Sequence, residues 1–405
     1  MYNFNSTTKM KSILKTSAFI AMSAIMVTSM TSCDENNGEN PSELSAKEQT
    51  LKDAVTPYVN NTVITTYKSM ADAAIKLMNA CNEAKDKFDG DKSGAQEKIK
   101  EAGNYWKESR KYWELSEAFL FGAAADYNID PHIDSWPLDK VALEQLLNNQ
   151  GMMNAIGEGG GAYVSANLGY GLLGFHAIEY MLFQLNASGD KSSARDVNSL
   201  NKNQMIYMAA VAEDLCFQCV RLEASWAGMD NVSSEKQTIL TDNELEPTFN
   251  YGESMLNAGQ GGSKYVNYTD AAQEILQGCI DIADEVAEQK MGRPANGSSE
   301  EDKNYIESPY SLNSIVDFAD NIRSIKNAYE GSNDGDKSVS DFIASVNAEK
   351  DKAVKDAIAA AITSIKKIPE PFAKNATSQT TKDAIAAVAK VSNTLSEAAN
   401  VLNEN

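Results

Sequence analysis

The chain has 405 residues, with 57 acidic and 36 basic side chains and a formal net charge of −21. This surplus of acid argues against nucleic acid as a partner, because binding a nucleic acid requires basic groups that neutralise its phosphates. A strongly acidic surface repels anionic surfaces and attracts cations weakly, so charge alone does not select a function.

The first 32 residues have the pattern of a secretory signal. Three lysines precede an apolar run over residues 18–27, and this run is shorter than the roughly 20 residues that span a bilayer. Cys33 follows small residues, as in a bacterial lipobox. We predict that Cys33 is the lipidated first residue of the mature protein, and an ordinary cleaved signal is the alternative.

Residues 33–44 are acidic, rich in asparagine and without apolar periodicity, which predicts a flexible tether. Acidic residues directly after a lipidated cysteine resemble the surface-export signal of Bacteroidetes lipoproteins. We therefore expect an outer-membrane lipoprotein, exposed at the surface or facing the periplasm, that touches the membrane through its lipid anchor alone. Loss of residues 1–32 removes three lysines and no acids, which takes the net charge from −21 to −24.

The rest of the chain has helical periodicity. Apolar residues recur at spacings of three and four near both ends, for example Val63, Tyr67, Met70, Ala74, Leu77 and Cys81, and again Val391, Leu395, Ala398 and Leu402. Few helix signals occur between residues 231 and 268. We predict an all-α protein of two helical-bundle domains, residues 45–235 and residues 236–405. Cys216 and Cys219 lie in a helical stretch, which favours buried thiols, with a helical disulfide as the alternative.

The segment Gly169–Phe183 is apolar or glycine at every position except His176 and Glu179. If it is a helix, a spacing of three puts both side chains on one face of a buried element. Buried ionisable groups need partners, so this imidazole and this carboxylate must pair with each other, bond to other polar groups or bind a metal.

Three further stretches carry candidate residues. A predicted helix over residues 103–122 places Arg110 and Glu117 on one aromatic face, and Arg110 can pair with Glu114, which leaves Glu117 less accounted for. The loop over residues 128–139 contains His132, Asp134 and Asp139, whose acids are most simply helix caps. A run of hydroxyls and amides precedes a helix in the second half, where Ser311 with Ser314, or Asn313 with Asp317, would cap it.

These motifs together resemble the imelysin family. Gly174, His176 and Glu179 match its GxHxxE signature, and the order of AFLFG, IDSWPLD, GxHxxE, KMGRP, ESPYSLNS and NAYEG is similar from about residue 50 to the end. The resemblance implies two helical bundles on a bacterial envelope, with GxHxxE near the domain junction, and a link to iron or haem uptake. It also aligns a second element with Tyr310, Ser311, Asn313 and Ser314, preceded by Glu307 and Ser308.

Three functions remain open. In the first, His176, Glu179 and Glu117 bind an iron or zinc ion or a haem, with the other candidates (Gly174, Glu307, Ser308, Tyr310, Ser311, Asn313, Asp134 and His132) contributing to the site and an outer-membrane receptor as partner. In the second, the protein is a metallopeptidase, although the sequence has no HExxH. In the third, the polar residues only stabilise a structural or partner-binding lipoprotein.

Overall fold

The structure is a computed structural model that describes residues 44–404. The predictions on the signal, on Cys33 and on nearly all of the tether fall outside these residues. None of the described helices is both long enough and apolar enough to span a lipid bilayer.

The described chain is almost entirely helical, as predicted. Its α-helices are α1 Ala46–Pro57, α2 Ile64–Lys87, α3 Lys92–Glu114, α4 Ala123–Asp126, α5 Ile129–Ile133, α6 Lys140–Leu147, α7 Gln150–Asn167, α8 Gly174–Leu182, α9 Lys202–Ala227, α10 Ser234–Asp242, α11 Tyr251–Leu256, α12 Tyr268–Glu285, α13 Gly292–Asn296, α14 Glu300–Lys303, α15 Ser314–Glu330, α16 Val339–Val346, α17 Ala348–Ile365, α18 Phe372–Asn375 and α19 Gln379–Ala399. Two π-helices, Tyr58–Val63 and Val286–Lys290, continue α1 and α12.

Shorter elements complete the fold. The 3-10 turns are Glu117–Phe119, Tyr170–Leu172, Val197–Ser199, Met229–Asn231 and Asn400–Asn403. An antiparallel hairpin, β1 Phe183–Leu185 and β2 Ser192–Ala194, pairs Gln184 with Ser193. The sequence analysis did not predict this hairpin, because each strand is too short to produce a pattern with a period of two.

The helices pack in two groups. In the first half α2 lies against α3 and α9, and α7 and α8 also pack on α9. In the second half α12, α15, α17 and α19 pack together, while α1 crosses over to contact α12 and α16. Residues 44–404 nevertheless group as one contact unit, so the boundary between residues 235 and 236 stays a prediction.

Both predicted helical seams are confirmed. All ten seam residues are buried in one continuous hydrophobic core. Cys81, Cys216, Cys219 and Cys279 are free and buried, which confirms the interpretation of CxxC as structural thiols. Burial of this kind raises the pKa of a thiol, as for Cys219, and keeps it unreactive.

Three predicted boundaries are wrong. The helix expected to run to residue 122 ends at Glu114, and the Ser116 hydroxyl donates to the Trp113 carbonyl at the turn, a local bond that competes with the helix. The clustered asparagine and glycine over residues 149–161 predict a loop, but residues 150–161 belong to α7. Its glycines permit close packing, since a Cβ on Gly161 would lie 2.8 Å from the Asp214 backbone nitrogen of α9.

The third wrong boundary concerns the GxHxxE segment. The helix begins at Gly174 rather than at residue 169, because Gly174 has a φ of +72° that interrupts it. A Cβ at this position would lie 2.0 Å from the Ile133 carbonyl oxygen. Gly174 therefore lets the start of α8 approach the end of α5, and this contact brings His176 next to Asp134.

We predict that Gly174→Ala destabilises the protein by about 2–4 kcal/mol, because it adds both left-handed strain and a backbone clash. Gly169→Ala is the matched control, since a Cβ there meets no atom within 4 Å. Chemical denaturation of the two variants measures the difference. Equal free energies of unfolding would contradict the close approach of α8 to α5.

Candidate metal centre

Glu179 connects α8 to the loop over residues 304–313. Its Oε1 accepts hydrogen bonds from the backbone N–H groups of Tyr310 at 2.9 Å and Ser311 at 2.7 Å, and from the Ser311 hydroxyl at 2.7 Å. These donors lie more than 130 residues away along the chain. Glu179 is thus a structural anchor as well as the partner of His176.

His176 lies between two carboxylates. Its apolar sequence surroundings predicted that the imidazole would be buried and would need partners. Its Nδ1 is 3.3 Å from Glu179 Oε2, and its Nε2 is 3.1 Å from Asp134 Oδ1. The Nε2 contact lacks the alignment of a hydrogen bond. Burial opposes the charged imidazolium, but the adjacent carboxylates of Asp134 and Glu179 outweigh it and raise the pKa of His176 to about 9.

Arg110 and Lys290 are the permanent cations of the cluster, and both are fully buried. Arg110 pairs with Asp134, with Glu114 at 2.5 Å and with Glu307 at 2.6 Å. Lys290 lies 3.0 Å from Glu307, 3.1 Å from Glu117 and 3.5 Å from Glu114. The predicted pairing of Arg110 with Glu114 is confirmed, and Glu117 is accounted for by Lys290.

The cluster contains more acids than cations. Six carboxylates that are at most 5 % exposed surround the two permanent cations and His176: Glu114, Glu117, Asp134, Glu179, Glu307 and Asp317. Burial raises the pKa values of Glu114 and Glu117 well above the usual range and that of Asp317 to about 7. The pKa of Asp134 is lowered because Arg110 and His176 outweigh its desolvation.

Two groups of side chains within this cluster have the spacing of metal ligands. Asp134, His176 and Glu307 form one, and Glu114, Glu117 and Asp134 form the other, with ligand atoms within 4.8 Å of one another in each. Asp134 belongs to both, so it links Glu117 to His176. Glu307 Oε1 accepts from both cations, while its Oε2 is buried without a hydrogen-bond partner among the described residues.

The hydroxyl and amide run does not cap α15 as expected. Asn313 occupies the N-cap position, but its side chain donates to Asp317 instead of accepting a backbone N–H. Ser308 also donates to Asp317, at 2.5 Å, and Ser314 donates to the Glu307 carbonyl. These bonds position Glu307 and Asp317, and Ser308 and Leu312 in the same loop adopt positive φ angles.

His132 lies in a different environment. Its Nε2 is 2.8 Å from Asp214 on α9, and its ring packs against Tyr170. Neither group of potential metal ligands among the described residues includes it. Asp139 caps α6 through the Ala142 N–H at 2.9 Å, as predicted. The same expectation is wrong for Asp134, whose carboxylate pairs with Arg110 in the buried cluster.

The sequence analysis missed Lys290 and the role of Trp113. Lys290 lies in the recognised KMGRP motif, but Glu288 and Gln289 directly precede it, so its local sequence is typical of an exposed helix face and carries no signal of burial. Trp113 donates its indole N–H to Asp134 Oδ2 at 2.7 Å. Its position one helical turn from Arg110 is not distinguishable in sequence from ordinary core packing.

The fold is helical apart from one short hairpin, and it buries the GxHxxE histidine among carboxylates. These features place the chain in a class of helical proteins with a candidate cation centre. The Imelysin family model matches residues 63–402, and the chain belongs to this family. It is 27 % identical over 274 residues, 68 % of this chain, to iron-regulated protein A of Synechococcus elongatus. The match spans 63 % of that relative.

Solved structures show the same fold. A crystal structure described as an iron-regulated protein A precursor from Parabacteroides distasonis superposes with a TM-score of 0.72 and 26 % identity, covering 89 % of this chain and 97 % of that one. An imelysin-like protein from Psychrobacter arcticum has a TM-score of 0.54 at 15 % identity, covering 89 % of this chain and 94 % of that one, which shows likeness of fold alone.

We predict that the His176 imidazole of the metal-free protein titrates near pH 9. The chain has two histidines, so NMR of the ring nitrogens gives two titration curves, and His132→Asn assigns them. Because the folded pKa exceeds the ordinary value, His176 stabilises the fold fully below about pH 6.5, and the contribution is lost as pH rises through 9. A midpoint for His176 at or below its ordinary value would contradict the arrangement.

Proposed function

We propose that this protein binds a divalent metal ion, with iron as the first candidate, through Asp134, His176 and Glu307. The observation that carries the proposal is the convergence of three buried side chains that each offer one ligand atom within 4.8 Å of the others. Glu307 Oε2 has no hydrogen-bond partner among the described residues, and His176 Nε2 meets Asp134 without the alignment of a hydrogen bond. Leaving such atoms unsatisfied in a dry site is costly unless they serve a ligand.

The donor chemistry supports a transition metal. One imidazole nitrogen with carboxylate oxygens suits iron, manganese or zinc, whereas calcium and magnesium favour oxygen ligands alone. Glu179 would act indirectly, since it holds His176 through Nδ1 as carboxylates commonly do behind a metal-bound histidine. Glu117, the third metal candidate from the sequence, belongs with Glu114 and Asp134 on the other side of the cluster.

The protonation state of the cluster favours exchange with a cation. Burial raises the pKa values of Glu114, Glu117 and Asp317, so these carboxylates hold their protons more tightly than exposed ones do. A divalent ion neutralises carboxylates in place of those protons, and binding would release them. Arg110 and Lys290 limit this affinity, because they already compensate part of the acid.

The location proposed from the sequence is the bacterial envelope, with Cys33 as the lipid anchor and an outer-membrane receptor as a candidate partner. A role in iron acquisition is supported by the names of two relatives, both iron-regulated protein A.

Haem is the weaker ligand candidate at His176, because both ring nitrogens face carboxylates, at 3.1 Å and 3.3 Å, and axial ligation would break one contact.

We predict that the chelator-treated protein binds Fe²⁺ or Mn²⁺ by anaerobic calorimetry, and that His176→Gln and Glu307→Gln each weaken binding at least tenfold, about 1.4 kcal/mol. His132→Gln is the matched control, because it removes the other histidine while leaving the cluster intact. Thermal melting of each variant checks that the fold persists.

Equal affinity of the wild type and both cluster variants would contradict the proposal. Haem uptake without metal binding would move the assignment to haem, and chelator-sensitive cleavage of an unstructured protein would support the metallopeptidase. Failure of all three assays would leave the structural lipoprotein.

A further inference from the structure

A cavity of about 410 Å³ lies beside the buried cluster. His176 forms part of its wall, and Trp136, Ile306, Pro309 and Tyr310 are among the apolar and aromatic residues that line it. This volume falls within the roughly 300–1,000 Å³ of typical small-molecule sites. The cavity is thus large enough for an organic ligand and lies directly against the proposed metal centre.

Not one of the described residues that line this cavity is acidic, although 57 of the chain's 405 residues are. The Trp136 indole nitrogen is shielded from solvent, so Trp136 offers the cavity its aromatic ring rather than a hydrogen bond. An aromatic cavity without acids in its wall can accept an anion without repulsion from its own lining.

Lys140 supplies a positive charge at the same cavity. Its ammonium lies 5.0 Å from the centroid of the Tyr310 ring and 5.8 Å from that of Tyr180, and it forms no ion pair with a carboxylate between residues 44 and 404. The chain as a whole has a net charge of −21, but Lys140 has no carboxylate partner among the described residues and no acid lines the cavity. The local charge at this cavity is therefore positive, opposite to that of the whole chain.

We propose that this cavity binds a flat organic anion, such as an aromatic carboxylate or sulfonate. Lys140 receives the anionic group, and the apolar and aromatic side chains of the wall, among them Trp136, Ile306 and Tyr310, contact the body of the ligand. The site requires no metal, so it stands independently of the proposed metal centre, although a ligand here would contact the His176 ring.

The test uses anilinonaphthalene sulfonate as an anionic fluorescent probe and phenylnaphthylamine, which has the same aromatic rings without the charge, as its neutral counterpart. Titration of the metal-free full chain should give one saturable site that prefers the sulfonate. Lys140→Gln should weaken sulfonate binding about tenfold and leave binding of the neutral probe within twofold.

Two further variants make the test specific. Ala373→Glu places a carboxylate at the exposed rim of the cavity and should abolish sulfonate binding. Lys382→Gln removes an exposed lysine that does not line the cavity, and it should leave sulfonate binding unchanged. Unchanged circular dichroism and melting temperature exclude probe binding to a loosened fold.

Three results would overturn the proposal. These are no saturable binding of the sulfonate, equal affinity for the charged and neutral probes, or equal weakening by Lys140→Gln and Lys382→Gln. Retention of sulfonate binding in a variant that has lost metal binding would confirm that the two sites are separate.

Discussion

The structure depends on the compensation of buried acid at its centre. Six carboxylates from α3, the turn after it, the end of α5, α8, the loop before α15 and α15 itself converge on Arg110, Lys290 and His176. Each of these groups loses hydration on burial, and removing one partner from such a network typically costs about 3–5 kcal/mol, because the remaining charge is left uncompensated. The elements that carry these groups are therefore constrained to one arrangement.

The same contacts join the two halves of the chain. Arg110 on α3 pairs with Glu307 nearly two hundred residues later, and Glu179 on α8 accepts bonds from Tyr310 and Ser311. A centre made of such distant segments forms only when the whole chain folds. The six carboxylates outnumber Arg110, Lys290 and His176 together, and the proposed metal ion would neutralise part of this surplus.

Much of the fold could be predicted from the sequence, because apolar periodicity reports directly which face of a helix is buried. The two seams and the burial of His176 and Glu179 followed from this pattern. The helix ends did not, because Ser116 ends α3 through a local side-chain bond, whereas Gly174 and the α7 glycines act through contacts with distant segments. For the same reason the sequence indicated Glu117 and Glu307 as candidates but did not reveal that Lys290 lies between them, or that Asn313 bonds Asp317 rather than capping the helix.

The most direct test is a crystal of the protein soaked in Mn²⁺ or Fe²⁺ and measured with anomalous X-ray scattering. The account predicts one strong anomalous peak about 2.0–2.3 Å from His176 Nε2 and from oxygens of Asp134 and Glu307. The opposite result would be fully occupied metal sites elsewhere in the crystal and no peak between His176 Nε2 and Asp134 Oδ1, which would still be 3.1 Å apart. That result would contradict the proposed metal centre.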